Sequence, residues 1–190
     1  MGLHRAGFDV TGVDLAPQPR YPFRFIQADA LTYPLEGFDL IWASPPCQGY
    51  TQLGSQDGRH PRLIDPIRER LAASGSPYVI ENVVGAPLRN PVQLCGSMFG
   101  LNVRRHRRFE TTWPVSSPPC RHGGTIRAYY GKPGALVWQG KRHAIYRGTV
   151  EQAPADMGID WMTWNELREA IPPAYSEFLA RALLRQRAAT

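Results

Sequence analysis

The chain has 190 residues, of which 43% are hydrophobic and 20% charged, and its formal net charge is +6. This length supports one domain, or one domain with a small insert, and the composition is that of an ordinary globular protein. No apolar run approaches the roughly 20 residues of a membrane span and no basic, apolar leader opens the chain, so we expect a cytoplasmic protein without a membrane partner. The cysteines Cys47, Cys95 and Cys120 are odd in number and widely spaced, which argues against a disulfide framework.

The first half of the chain predicts short strands that alternate with polar connections. The strands are predicted over Phe8–Asp14, Phe23–Asp29, Phe38–Ala43 and Tyr78–Val83. Apolar residues recur at helical spacing over Pro61–Ala73, so a helix is predicted between the third and fourth strands. This order predicts an α/β fold whose parallel sheet has right-handed crossovers.

The second half changes in texture and then returns to helix. Pro, Gly, Ser and basic residues dominate from about Thr111, which predicts an irregular or β-rich insert. Thr163 with Glu166 predicts a capping box, and a final helix is predicted over Ala174–Arg187. We therefore divide the chain into a core (1–110), an insert (111–155) and C-terminal helices (156–190).

The positive charge is concentrated in one block, residues 102–147. This block holds ten Lys and Arg residues against one acid, Glu110. Aromatic residues are interleaved with them: Trp113, Tyr129, Tyr130, Trp138 and Tyr146. Such a pattern favours a nucleic-acid partner, with cations for phosphates and rings for bases, over a merely solvated arginine-rich surface.

Cys47 is the candidate nucleophile. It follows Ser44-Pro45-Pro46 just beyond the third strand, at the edge of an α/β sheet where chemistry is usually found. A nucleophilic thiol needs positive surroundings, which the run from Arg104 to Arg108 can supply. The fourth strand ends at the same edge with Glu81-Asn82, and a carboxyl there can hydrogen-bond or protonate a ring nitrogen. The alternatives are a buried inert cysteine and a helix-capping acid.

Two acids end the first two strands. Asp14 and Asp29 are placed to accept hydrogen bonds from ribose hydroxyls, although surface acids at strand ends are also common. Cys120, His122 and His143 lack a fourth ligand at a metal-binding spacing, and Cys95 is interpreted as a buried small hydrophobe. We therefore expect no metal.

In combination, these motifs resemble those of the DNA cytosine-5 methyltransferase family. Ser44-Pro-Pro-Cys-Gln48 matches the Pro-Cys nucleophile motif, Glu81-Asn-Val83 the Glu-Asn-Val motif, and Arg105-x-Arg107 part of the Gln-x-Arg-x-Arg motif. Asp14 and Asp29-Ala30 match its cofactor-binding strand ends. The order agrees, and the resemblance covers roughly residues 2–110 and the C-terminal helical segment. It implies a Rossmann-like fold, S-adenosylmethionine as cofactor and DNA as substrate.

The resemblance also implies a role for individual residues. The implied catalytic residues are Cys47, Glu81, Arg105 and Arg107. The implied cofactor-binding residues are Asp14, Leu15, Asp29, Ala30, Ser44, Pro46 and Ser176. The implied nucleic-acid contacts are Gln48, Asn82, Val83, Arg104 and Arg108, and the insert is implied to be a small target-recognition segment. The implied biological setting is restriction-modification in a bacterial or phage-infected cell.

The chain departs from the family pattern at several positions. Its opening, Met1 to Phe8, resembles the end of the helix after the family's Phe-x-Gly-x-Gly-Gly loop, so we expect a sheet truncated at its first strand. Val103 stands where the family has Gln, and Ile171-Pro-Pro-Ala-Tyr-Ser176 stands where it has Gly-Asn-Ser. The short insert implies a short or loosely read target.

Three alternatives stay open. One is a catalytically impaired remnant that binds nucleic acid without turnover. Another is an amino-methyltransferase acting on N4 of cytosine or N6 of adenine, whose Ser/Asp/Asn-Pro-Pro-aromatic motif differs from Ser44-Pro-Pro-Cys47 at one residue. The third is a methyltransferase directed at RNA.

Overall fold

Short helices and small sheets make up the computed structural model, which describes residues 1–51, 60–122, 127–129, 136–139 and 143–189. The chain divides into two compact units. The first unit comprises Met1–Val10, Leu94–Arg105 and Pro118–Thr190, and the second comprises Thr11–Gln93 and His106–Ser117. The functional division into core, insert and C-terminal helices stays a prediction.

The second unit holds the strands predicted in the first half of the chain. Strand β1 (Thr11–Asp14) pairs in parallel with β2 (Arg24–Gln27), with Asp14 opposite Gln27. Strand β3 (Ile41–Ala43) pairs in parallel with β4 (Tyr78–Asn82), and helix α2 (Ile64–Ala73) lies between these two in the chain. The mixed α/β class and the parallel pairs are therefore confirmed.

These strands do not form one parallel sheet. Among the described residues, β1 and β2 form a two-stranded sheet, and β3 begins a second sheet of order β3-β4-β6-β5. Strand β6 (Arg107–Thr111) runs antiparallel to β4, and β5 (Val92–Leu94) lies beyond it. The expectation of a single parallel sheet was wrong, because β1 and β3 are edge strands of two different sheets. A Rossmann-like arrangement stays a prediction.

Strand β4 forms the core of the second unit. It has a neighbour on each side, and Val79 and Ile80 are fully buried. Phe109 of β6 is also fully buried, and its ring centroid lies 5.7 Å from that of Trp42 on β3. A central strand covered on both faces needs an almost continuous apolar run, which explains the composition of this segment.

The first unit joins the two ends of the described chain. Helix α1 (Gly2–Arg5) packs against α5 (Pro173–Ala188). A Cβ atom at Gly2 would lie 2.0 Å from the Pro173 carbonyl oxygen and 2.2 Å from Ser176 Oγ, so this contact requires glycine. The remaining elements are the 3-10 turn Gly96–Phe99, strands β7 (Arg127–Ala128), β8 (Leu136–Gln139) and β9 (His143–Arg147), and helices α3 (Ala153–Met157) and α4 (Trp164–Leu167).

The predictions for the second half of the chain are confirmed where they fall on described residues. The segment after β6 is irregular and then forms a sheet of order β7-β9-β8. The capping box is present, since the backbone N–H and the hydroxyl of Thr163 both donate to Glu166 Oε2 at 2.7 Å.

Among the described residues, none of the helices combines the length and apolar character needed to cross a membrane.

Candidate active site

The loop that carries Cys47 leaves the carboxyl end of β3. Trp42 Nε1 donates to Ser44 Oγ at 3.1 Å where the strand ends. The carbonyl of Cys47 accepts hydrogen bonds from the backbone N–H groups of Tyr50 at 2.9 Å and Thr51 at 3.1 Å. Pro45 and Pro46 fix the backbone between these two points. Cys47 itself is half-buried, at the sheet edge where the sequence predicted it.

Asn82 fastens this loop to the neighbouring strand. Its Nδ2 donates to the carbonyl oxygen of Pro45 at 2.8 Å, and its Oδ1 accepts from the N–H of Val83 at 3.0 Å. The parallel register sets Ala43 opposite Ile80, so Pro45 and Asn82 each follow that pair by two residues. With 1% of its surface exposed, Asn82 holds the Cys47 loop in place, and a contact of its own with nucleic acid stays a prediction.

Glu81 precedes Asn82 on β4 and is paired with an arginine. Arg107 Nε lies 3.1 Å from Glu81 Oε1, and both side chains are largely buried. Glu81 is opposite Phe109 in the antiparallel pair, so Arg107, two residues along β6, meets it diagonally across the strands. Arg107 also donates to the His106 carbonyl at 2.9 Å. The structure thus brings the predicted Glu81 and Arg107 together and fixes the carboxylate.

Arg105 is placed differently from Arg107. It belongs to the first unit and is 6% exposed. Its terminal nitrogens donate to the carbonyl oxygens of Tyr129, at 3.1 Å, and Arg168, while its own carbonyl accepts from the Tyr175 hydroxyl at 2.7 Å. These contacts hold the core of that unit. A role of Arg105 at the reacting base stays a prediction.

The two acids predicted to bind ribose end adjacent parallel strands of the second unit. Asp14 Oδ1 accepts from Ala16 N at 2.8 Å, and Asp29 Oδ1 accepts from Leu31 N at 2.8 Å. The backbone N–H of Ala28 donates to the Asp14 carbonyl at 3.0 Å, which keeps the two strand ends together. Leu15 follows Asp14 and is 68% exposed, an unusual exposure for a large apolar side chain.

The other predicted contact residues are spread over both units. Ser44, Pro46, Gln48 and Ala30 are exposed and Val83 is half-buried, all in the second unit. Ser176 belongs to the first unit, where its hydroxyl donates to the Pro173 carbonyl at 3.1 Å within the first turn of α5. Arg104 and Arg108 are half-buried and fall in different units.

Several arginines and aromatic rings of the basic block are engaged inside the protein, so fewer of its side chains face a partner than its net charge suggested. Arg105 is engaged as above, Arg107 pairs with Glu81, and Arg127 Nη1 lies 2.7 Å from Asp156 Oδ2. Two of the aromatic residues expected to face bases, Trp113 and Tyr129, are 4% and 1% exposed, because they complete the hydrophobic cores. That part of the interpretation was wrong. Lys132, Lys141 and Arg142, together with Tyr130, lie outside the described residues.

Sequence reasoning missed the positioning bond between Asn82 and Pro45. The available signal was indirect: Asn82 follows Glu81 at the end of a predicted strand whose neighbour leads into the Pro-Pro turn. Only the register of β3 against β4 brings the amide and the carbonyl into line.

Comparison with known proteins supplies no family for this chain. No protein-family model matches it, and no curated protein matches it either.

Proposed function

We propose that this chain is a DNA cytosine-5 methyltransferase in which Cys47 forms the covalent adduct with the base. One observation carries the proposal. The loop that bears Cys47 is tied by the 2.8 Å bond from Asn82 to Pro45 to the strand end that bears Glu81. A nucleophile and a carboxyl group on two adjacent, mutually fixed strand ends are what addition to a pyrimidine ring requires.

The chemistry assigns a distinct task to each group. C5 of cytosine is a poor nucleophile, so the Cys47 thiolate adds to C6, and the electron pair of the C5–C6 double bond becomes available at C5. Glu81 acts as a carboxylic acid: it donates its proton to N3 as the thiolate adds, accepts a hydrogen bond from the exocyclic amine, and takes the proton back when the ring is restored. When bound, S-adenosylmethionine supplies an electrophilic methyl group. Loss of the C5 proton to solvent and departure of the Cys47 thiolate then restore the double bond.

Arg107 prepares Glu81 for this task. Its guanidinium lies against Oε1, so the carboxyl group keeps one orientation while the base enters. The target atom is unreachable in a stacked duplex, so the cytosine is flipped out to meet Cys47. A DNA duplex is the proposed substrate, and a flipped cytosine is the reacting species.

The second unit also offers residues that suit the adenosine part of the cofactor. Asp14 and Asp29 use Oδ1 for local backbone bonds, which fixes both carboxylates for ribose hydroxyls. Leu15, at 68% exposure, is an apolar surface that an adenine ring would cover. These residues fit the group. Ser44 and Pro46 are proposed to border the cofactor on the side that faces Cys47.

A duplex oligonucleotide that contains 5-fluorocytosine tests the proposal. Fluorine at C5 cannot leave as a proton does, so the Cys47 adduct should accumulate in the presence of S-adenosylmethionine and survive denaturing electrophoresis. Peptide mapping should locate the base on Cys47, and Cys47→Ser should give no adduct. An oligonucleotide with ordinary cytosine is the matched control.

The same preparation separates the proposal from its rivals. Folded protein that binds DNA but gives neither an adduct nor S-adenosylmethionine binding would support a non-catalytic nucleic-acid-binding protein and overturn the proposal. Mass spectrometry of the digested product should show 5-methylcytosine, whereas N4-methylcytosine or N6-methyladenine would indicate an amino-methyltransferase. An RNA oligonucleotide run in parallel tests the choice of nucleic acid.

A further inference from the structure

Three side chains of the first unit bring soft and borderline ligand atoms together. The ligand atoms of Cys95, Cys120 and His122 all lie within 4.8 Å of one another. Cys95 Sγ and His122 Nε2 are 3.3 Å apart. Around a tetrahedral zinc ion, Zn–S and Zn–N bonds of roughly 2.3 and 2.0 Å set sulfur and nitrogen about 3.5 Å from each other. The observed spacing is close to that value.

We propose that these residues form a structural zinc site. Two thiolates and an imidazole make a ligand set that selects zinc over harder ions such as Mg²⁺ or Ca²⁺. All three ligands belong to the first unit and fill three of the four positions that a zinc ion takes. This set is independent of the proposed methyl transfer.

The local backbone is built to present Cys95. This residue is extended and fully buried, and it immediately precedes the 3-10 turn Gly96–Phe99. A Cβ atom at Gly96 would lie 2.4 Å from Val103 Cγ1 and 2.5 Å from the Val103 carbonyl oxygen, so only glycine lets the turn approach this closely. The Cys95 thiol is thereby held in one place, next to the surface segment that carries the other two ligands.

Supporting hydrogen bonds join the two segments. The Ser97 hydroxyl is 3.5 Å from Cys95 Sγ, as expected for a donor to a thiolate. The same Ser97 oxygen accepts from the backbone N–H of Arg121 at 3.2 Å, and Arg121 lies between the two surface ligands. Such outer contacts orient the ligands of metal sites. Cys120 and His122 are two residues apart in the chain, and their ligand atoms lie within 4.8 Å of each other.

The electrostatics favour a cation at this point. Cys95 Sγ and Cys120 Sγ lie within 4.8 Å of each other, so two thiolates there would repel unless a cation lay between them. A divalent ion supplies that charge, and each thiol releases its proton when it binds. Residues 112–122 form no helix or strand of their own, and a zinc ion would fasten the end of this segment to the 3-10 turn.

Metal analysis of the full chain, expressed with zinc present and purified without chelator, tests the inference. We expect about one zinc per chain. Exchange for Co²⁺ should give the d–d absorption of a tetrahedral site together with a sulfur-to-cobalt charge-transfer band. Cys95→Ser and Cys120→Ser should each reduce the zinc content to near zero. Cys47→Ser, which changes the one cysteine outside the proposed site, should leave the zinc content unchanged.

A further variant keeps the test decisive if a serine variant fails to fold. His122→Cys should retain zinc, because a thiolate can replace the imidazole, and it should strengthen the charge-transfer band. Folded wild-type protein without zinc, or with a Cys95–Cys120 disulfide after purification under reducing conditions, would overturn the proposal.

Discussion

Asn82 shows how a single buried amide can govern a candidate active site. Its side chain links the carboxyl ends of two strands, one carrying Glu81 and the other leading to Cys47. A buried donor and acceptor that are both engaged contribute modestly to stability, but the unmatched group left by a substitution is costly. The residue is therefore expected to affect both folding and the geometry of the loop that carries Cys47.

We predict that Asn82→Ala lowers the free energy of unfolding by about 1–3 kcal/mol, because the Pro45 carbonyl loses its donor. The same variant should form the 5-fluorocytosine adduct more slowly than the wild type. Urea unfolding and a trapping time course measure the two effects. Asn165→Ala, an exposed asparagine of α4, is the matched control and should change stability by less than about 0.5 kcal/mol. Equal stability of the two variants would contradict the assigned role.

Among the secondary structure elements, α2 and β6 are joined by a buried ion pair. Arg68 Nε donates to Glu110 Oε1 at 2.8 Å and Arg68 Nη2 to Glu110 Oε2 at 2.9 Å, and both residues are 4% exposed. Arg68 also donates to the Pro87 carbonyl at 2.9 Å, and Glu110 accepts from Arg89 N at 2.7 Å. The hydrogen bond to Glu110 raises the pKa of Arg68, so its guanidinium stays charged.

Breaking this pair from one side should be strongly destabilising. We predict that Arg68→Met costs about 3–5 kcal/mol, because Glu110 stays buried without its cation. The double variant Arg68→Met with Glu110→Leu should recover much of that loss, since no charge is then left uncompensated. Urea unfolding of the single and double variants gives the coupling energy.

A second arginine–glutamate pair provides the control. Arg181 and Glu177 are one turn apart on α5 at 2.9 Å, and the Arg181 side chain is 51% exposed. Arg181→Ala should cost no more than about 1 kcal/mol, because water screens a surface pair. If both arginine substitutions cost the same, the buried pair would not be the link between α2 and β6.

Local elements could be predicted from the sequence, and their assembly could not. The capping box at Thr163 depends on residues three apart, so its pattern is visible in the chain. The division of the strands into two sheets depends on which strand edges meet, and β1 and β3 have the same composition whether or not they share a sheet. The neighbours of Cys95 could not be predicted for the same reason, since nothing near it in the chain signals Cys120 or His122.

For the whole molecule, the structure most changes the interpretation of the charge pattern. Ten basic residues lie in residues 102–147, but Arg105, Arg107 and Arg127 are engaged in internal contacts. Arg127 and the Tyr129 hydroxyl both bond Asp156, which is 6% exposed. Burial, followed by the Asp156 carboxylate, raises the pKa of Tyr129, so the phenol stays protonated and donates. Part of the basic block therefore stabilises the first unit.

Because some arginines of the basic block are paired internally and others are exposed, we predict two different effects of arginine substitution on DNA binding. Removal of one cation that pairs with a phosphate should make the slope of log K against log salt shallower by about 0.9. Arg121 is exposed, so Arg121→Ala should weaken binding to all sequences and reduce the slope by that amount without a change in stability. Arg127→Ala should keep the slope and lower stability by about 1–3 kcal/mol, because Asp156 loses its cation. Binding titrations from low to high salt, with urea unfolding of both variants, measure the difference; equal slopes and stabilities would refute it.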